Sequence, residues 1–166
     1  MATVFYRAQS DQSLTIFKRG EGFDTHHYYH GPFALWLGRR VFAMHLSCHH
    51  PPVHKPTPFI SVFDNADDAE ARARHLVRTG HTGVFVAKIE VPRPIWGTMR
   101  IRYRSPKRQV DLHMLMETPE QHSTWFISTK DARQYLGLNV HGSRLSEWCA
   151  MNYIPDHLIT GYRYFK

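Results

Sequence analysis

Apolar and polar positions follow a clean period over only part of this chain, and those stretches predict its elements. Residues 3–7, TVFYR, are β-branched and aromatic, which predicts a short buried strand with Arg7 at its end. Ser10 then stands as a candidate N-cap for a short helix ending near Gly20. From Gly20 to Pro58 the chain is rich in Gly, Pro and His, with one helical pattern around Leu37 to Leu46, so a long, partly irregular excursion is expected. PFISV predicts a strand. Asp64 or Asn65 then caps a helix over ADDAEARARHLVRTG, acidic in its first turn, basic later and stopped by Gly80. GVFVAKIEV alternates, with Val84, Val86 and Lys88 on one face and Phe85, Ala87 and Ile89 on the other. Further strands are expected at MRIRYR, STWFIS, EWCAM and ITGYRYF, and a short helix at KDARQYLG.

These elements do not alternate as regular strand-helix-strand units, so a mixed α+β domain is expected rather than a doubly wound sheet. A chain of 166 residues with 42% hydrophobic content suffices for one packed core, and residues 1–166 read as a single domain. Lys and Arg number 21 against 14 Asp and Glu, a formal +7 that favours anionic partners. No segment reaches the roughly 18 apolar residues of a membrane span, and the N-terminus has no export pattern, so no membrane partner and a cytoplasmic location are expected, with secretion of a processed chain as the alternative. Two cysteines, Cys48 and Cys149, are too few for a disulfide scaffold.

Three separated segments carry the chemistry. The first is FYRAQS, with Arg7 after an aromatic residue and before Ala8. The second is PFISV with the capped helix behind it. The third is EWCAMNYIPDHLITGYRY, in which Glu147 is followed seven positions on by Ile154-Pro155 and then by a Gly-aromatic strand. In this order they resemble the Arg-Ser-Glu segments of the cholera-toxin and pertussis-toxin group of ADP-ribosyltransferases. The resemblance implies that family's α+β fold, mixed and mostly antiparallel sheets with a few helices around an NAD cleft. It implies an enzyme that takes NAD as substrate, with no metal, and passes ADP-ribose to an unidentified macromolecular acceptor, protein or nucleic acid, or to water as an NAD glycohydrolase. Arg7, Ser61 and Glu147 would carry catalysis. Arg7, Ala8, Ser61, Phe63 and His45 would hold NAD, Ala8 through its backbone and Phe63 through its ring.

The residue types suit that reaction. Breaking the nicotinamide-ribose bond builds positive charge on the sugar, and a fixed carboxylate such as Glu147 stabilises that state more than the ground state. A guanidinium offers rigid forked donors to phosphate or ribose oxygens, which Arg7 supplies. Ser61 would hydrogen-bond Glu147 and set its orientation. The chain departs from the family at Leu145, where a first carboxylate or amide is expected, and at Val62 and Phe63, where Thr and Ser are expected. The Leu145 side chain has no group to engage an incoming guanidinium, which argues against arginine as acceptor and leaves open hydrolysis, transfer to another nucleophile, and a module that keeps the fold without catalysis and uses its basic surface for protein or nucleic-acid contacts. A Leu145 side chain pointing into the core is the competing structural reading.

Two other features stand apart. Cys48, His50 and His54 have the donor types for a structural zinc ion if the Pro51-Pro52 turn folds back, but a solvated or core-satisfied set of histidines is the favoured reading of the pattern. Arg100, Arg102 and Arg104, with Lys107 and Arg108, flank Tyr103 and would suit a phosphate backbone, a macromolecular acceptor, or simply a solvated strand face.

Overall fold

The computed structural model describes residues 1–25, 43, 45, 57, 59–102, 109–116, 124–137, 145–151 and 153–166. Its strands, in chain order, are β1 (Thr3–Gln9), β2 (Ile16–Lys18), β3 (Gly22–Asp24), β4 (Phe59–Phe63), β5 (Phe85–Val91) and β6 (Ile95–Arg102). They continue with β7 (Gln109–Met116), β8 (Trp125–Ser128), β9 (Glu147–Met151), β10 (Tyr153–Pro155) and β11 (Ile159–Tyr164). Among the described residues there are also helices α1 (Ala66–Arg78) and α2 (Thr129–Leu136) and a 3-10 turn at Asp156–Leu158, and Ala43 and His45 are helical as well. The fold is mixed α+β. An eight-stranded sheet runs in the order β11-β5-β1-β4-β9-β8-β7-β6 and a three-stranded one in the order β10-β3-β2, with every pairing antiparallel. Among the described residues, no helix is long and apolar enough to cross a membrane.

Among the described residues, side-chain alternation gives the large sheet a core on each side. Phe5, Ile60, Val62, Phe85, Ala87, Ile89 and Phe126 point to the side covered by the small sheet, where Phe23 and Ile154 meet them. Phe5 stacks on Phe126 with ring centroids 4.7 Å apart. On the opposite side Ala8, Phe63, Val84 and Val86 receive Ala69, Ala73 and Leu76 of α1. The expected division of GVFVAKIEV is thus realised, with Lys88 exposed at the end of its face.

Helix α1 begins and ends on the signals its sequence carries. The Asn65 side chain accepts the Asp68 N–H at 2.9 Å, and Asp67 and Asp68 sit against the positive end of the helix dipole. At the other end Gly80 takes φ +85°, which lets the His81 N–H return to the Leu76 carbonyl at 3.0 Å. Helix α2 repeats the scheme with Ser128 as cap and Gly137 at φ 59°.

The helix expected after Ser10 is not there. Ser10 uses its hydroxyl on His81 Nδ1 (2.8 Å) and Ser13 Oγ (3.2 Å) instead of capping a helix. Thr15, Ile16 and Phe17 favour extended backbone, and residues 16–24 form the hairpin β2-β3. Phe17 packs on Phe23 and Phe85. Gly22 has φ +102° and lies so close to the Ile154 carbonyl that an added Cβ would collide with its oxygen, so only glycine serves there. Arg7 lies two residues inside β1 rather than at its end. Strand β6 extends the expected MRIRYR strand backward to Ile95, while Tyr103 and Arg104 lie outside the described residues, as do Lys107 and Arg108. Most of the helix expected over Leu37 to Leu46, and the whole Cys48, His50 and His54 set, also lie outside them.

Candidate functional site: a cleft at a split between two strands

Strand β1 is zipped to β5 over seven register pairs, Thr3↔Val91 through Gln9↔Phe85. On its other edge it meets β4 at a single pair, Tyr6↔Phe63. The strands part beyond that point, and backbone groups along the opening need other partners. Arg7 supplies one. Its Nη1 donates to the Ser61 carbonyl at 2.7 Å, while Nε and Nη2 both donate to Gln9 Oε1 at 3.1 and 2.8 Å. Gln9 is fixed in turn by donating to the Thr15 carbonyl at 2.6 Å, and the guanidinium lies over the Phe23 ring at 5.5 Å.

Strand β9 fixes what Ser61 sees. Register sets Ser61 opposite Cys149 and Phe63 opposite Glu147, so Ser61, Glu147 and Cys149 share one face. The Ser61 hydroxyl donates to Glu147 Oε1 at 2.8 Å. That commits its proton, so the 2.8 Å contact with His45 Nε2 is a donation from the ring to Ser61 Oγ. His45 Nδ1 lies 2.5 Å from Thr57 Oγ1. Four side chains from distant segments therefore form one chain, Thr57–His45–Ser61–Glu147. The Glu147 carbonyl is also held, by the Thr129 hydroxyl at 2.7 Å.

An open cleft of about 380 Å³ lies over this seam, within the size range of small-ligand sites. Arg7, Ala8, His45, Ser61 and Phe63 all reach its wall. Glu147 does not; it is 1% exposed and sits behind Ser61. The turn at Gln12–Thr15 forms one side, and Arg72, His75 and Leu76 of α1 form the other.

The charges in the cleft hold one another out of balance. Burial, then the nearby Arg72, push the Arg7 guanidinium down to about 9, while Glu147 pulls it up. Arg72 is also lowered by burial and supported by Glu147. Two guanidiniums thus share one buried carboxylate, an arrangement that favours an anionic ligand. Burial and Glu147 together drive the Cys149 thiol well above its ordinary value.

The structure brings Arg7, Ser61, Glu147, His45, Ala8 and Phe63 into one region. Leu145 is 70% exposed on the turn before β9, so it is not a core residue. Sequence reasoning missed Arg72, Gln9, Thr57 and Cys149. Arg72 carried a usable signal: it is three residues after Ala69 and four before Leu76, on the buried stripe of α1. Gln9 follows Arg7 by two and so shares its face.

Residues 1–162 match the family described as domain of unknown function DUF7587, and the chain belongs to that family. No curated protein matches it. No solved structure matches it either.

Proposed function

We propose that the cleft binds NAD and that the protein is an ADP-ribosyltransferase-like enzyme of the Arg-Ser-Glu type, cleaving the nicotinamide-ribose bond. The observation that carries this reading is the linkage of Arg7 to Ser61 and of Ser61 to Glu147, across 54 and 86 residues of chain, at 2.7 and 2.8 Å. Arg7 and the half-buried Arg72 suit the diphosphate. Phe63 offers a ring to the nicotinamide.

In the reaction, the bond from ribose C1′ to the nicotinamide nitrogen breaks and its electron pair returns to the ring, which becomes neutral. Water or an acceptor hydroxyl, thiol or amine then bonds to C1′ and loses a proton. Glu147 holds a negative charge beneath the sugar as positive charge develops there, and Ser61 passes that influence through its hydroxyl. A ligand phosphate would bring a second anion to the two guanidiniums that share Glu147.

The burial of Glu147 behind Ser61 supports a second reading: a module that binds NAD at the same cleft without turning it over. Incubation with NAD and quantitation of free nicotinamide, beside a thermal melt with and without NAD, separates the two. Release of nicotinamide together with thermal protection is expected for the enzyme. Protection alone selects the binding module, and neither effect would remove NAD from the cleft.

A further inference from the structure

The face that carries Ser61 and Glu147 also carries Cys149, a donor with no part in the chemistry proposed above. His45 Nε2 or Nδ1, a Glu147 carboxylate oxygen and Cys149 Sγ all lie within 4.8 Å of one another. We propose that His45, Glu147 and Cys149 form a zinc site, with the fourth position open to water or the Ser61 hydroxyl. Imidazole, carboxylate and thiolate are the donors zinc takes, at about 2.0–2.3 Å each, and three protein ligands with one open position is the pattern of reactive rather than purely structural sites. Drawing the three atoms onto one ion needs an inward movement of about 1 Å, within the reach of side-chain torsions.

A second observation supports the site. A ligating histidine needs its other ring nitrogen held, and His45 Nδ1 already meets Thr57 Oγ1 at 2.5 Å. The Thr57 hydroxyl in turn lies 3.5 Å from the Phe59 carbonyl and 3.4 Å from the Phe59 N–H, so β4 itself anchors it. On metal entry the neutral ring exchanges tautomers: Nε2 loses its proton to solvent and turns from Ser61 to zinc, and Nδ1 takes up a proton from solvent and donates it to Thr57. Cys149, wholly buried and protonated beforehand, releases its proton as the Zn–S bond forms. Thiolate and carboxylate then balance the ion's two charges. A metal here takes the carboxylate that NAD cleavage would use, so zinc occupancy and turnover exclude one another. The metal site itself stands whether or not NAD is the ligand of the cleft.

Cobalt is the probe, because it replaces zinc and absorbs through a bound thiolate. Titration of the full chain with Co²⁺ should develop a thiolate-to-metal band that Zn²⁺ bleaches. Cys149→Ala should abolish the band, and Cys48→Ser should keep it. Thr57→Ala, which leaves all three ligands in place, should weaken zinc binding about 10- to 100-fold in a chelator competition. Melting curves establish that each variant is folded. Absence of the band in the unmutated protein, its survival in folded Cys149→Ala, or its loss in Cys48→Ser would overturn the site. Unchanged zinc affinity in Thr57→Ala would remove His45 from it.

Discussion

The two edges of β1 differ in what they are for. Toward β5 the strand is closed by a full ladder, and its neighbours Ala87, Ile89 and Val91 are wholly buried. Toward β4 it is closed at one pair, and the remaining gap is spanned by a buried charged side chain. Hydrophobic burial stabilises the first edge and is indifferent to any ligand. The second edge keeps polar and charged groups at the bottom of a cleft, where they cost desolvation and are repaid only by well-aligned partners. On the proposed function, one strand thus serves stability on one side and recognition on the other.

Substitutions should separate the two edges. The largest effect is expected on the closed edge: Ile89→Ala removes a fully buried side chain and should cost about 2–5 kcal/mol in chemical denaturation, while NAD turnover per folded molecule is unchanged. A matching loss of specific activity would mean the edges are not independent. On the open edge, Glu147→Gln keeps the shape and an acceptor for Ser61 but removes the charge, and nicotinamide release should fall about 10²-fold or more with the protein still folded. Undiminished release would take Glu147 out of the mechanism.

The pH response of Arg7 carries opposite signs for ligand and fold. Its folded-state value is lowered to about 9, below that of the unfolded chain, so the unfolded state binds more protons above that pH. On this group alone, stability rises as pH climbs past about 9, while NAD affinity, flat near neutrality, falls over the same interval as the cleft loses a cation. Isotherms and melts across that range read both, and an affinity that stays level through the interval would retire Arg7 as a ligand contact. The smallest effect is expected at Leu145. Because it is 70% exposed, Leu145→Glu should change stability by no more than about 0.5 kcal/mol. If the turn before β9 lies on the acceptor side, the new carboxylate should raise transfer to arginine peptides, measured by mass spectrometry, from a background that the unmutated protein does not exceed.

What the sequence disclosed follows from how local each signal was. Asn65, the acidic first turn and Gly80 announce α1 within a few residues, and the helix forms between them. The EWCAM and ITGYRYF patterns each sit within one short segment, and β9 and β11 form there. Ser10 misled because its partner, His81, is 71 residues away and nothing near Ser10 indicates it. The hairpin β2-β3 exists through the contacts of Phe17 and Phe23 with β5, which are equally remote. The QVDLHMLM stretch went unread, and β7 forms by pairing with β6 and β8. That Cys149 faces Ser61 depends on the register of β4 against β9, a property of neither segment alone. The split between β1 and β4 is likewise a matter of pairing that ends early.

The central claim is that this split holds NAD, and diffraction from a crystal soaked with NAD tests it most directly. The account predicts density for the dinucleotide in the cleft between β1 and β4, with a phosphate or ribose oxygen hydrogen-bonded to Arg7 and the ribose next to Ser61. Density elsewhere on the molecule, or an empty cleft at saturating NAD in a crystal form that leaves it open, would contradict it.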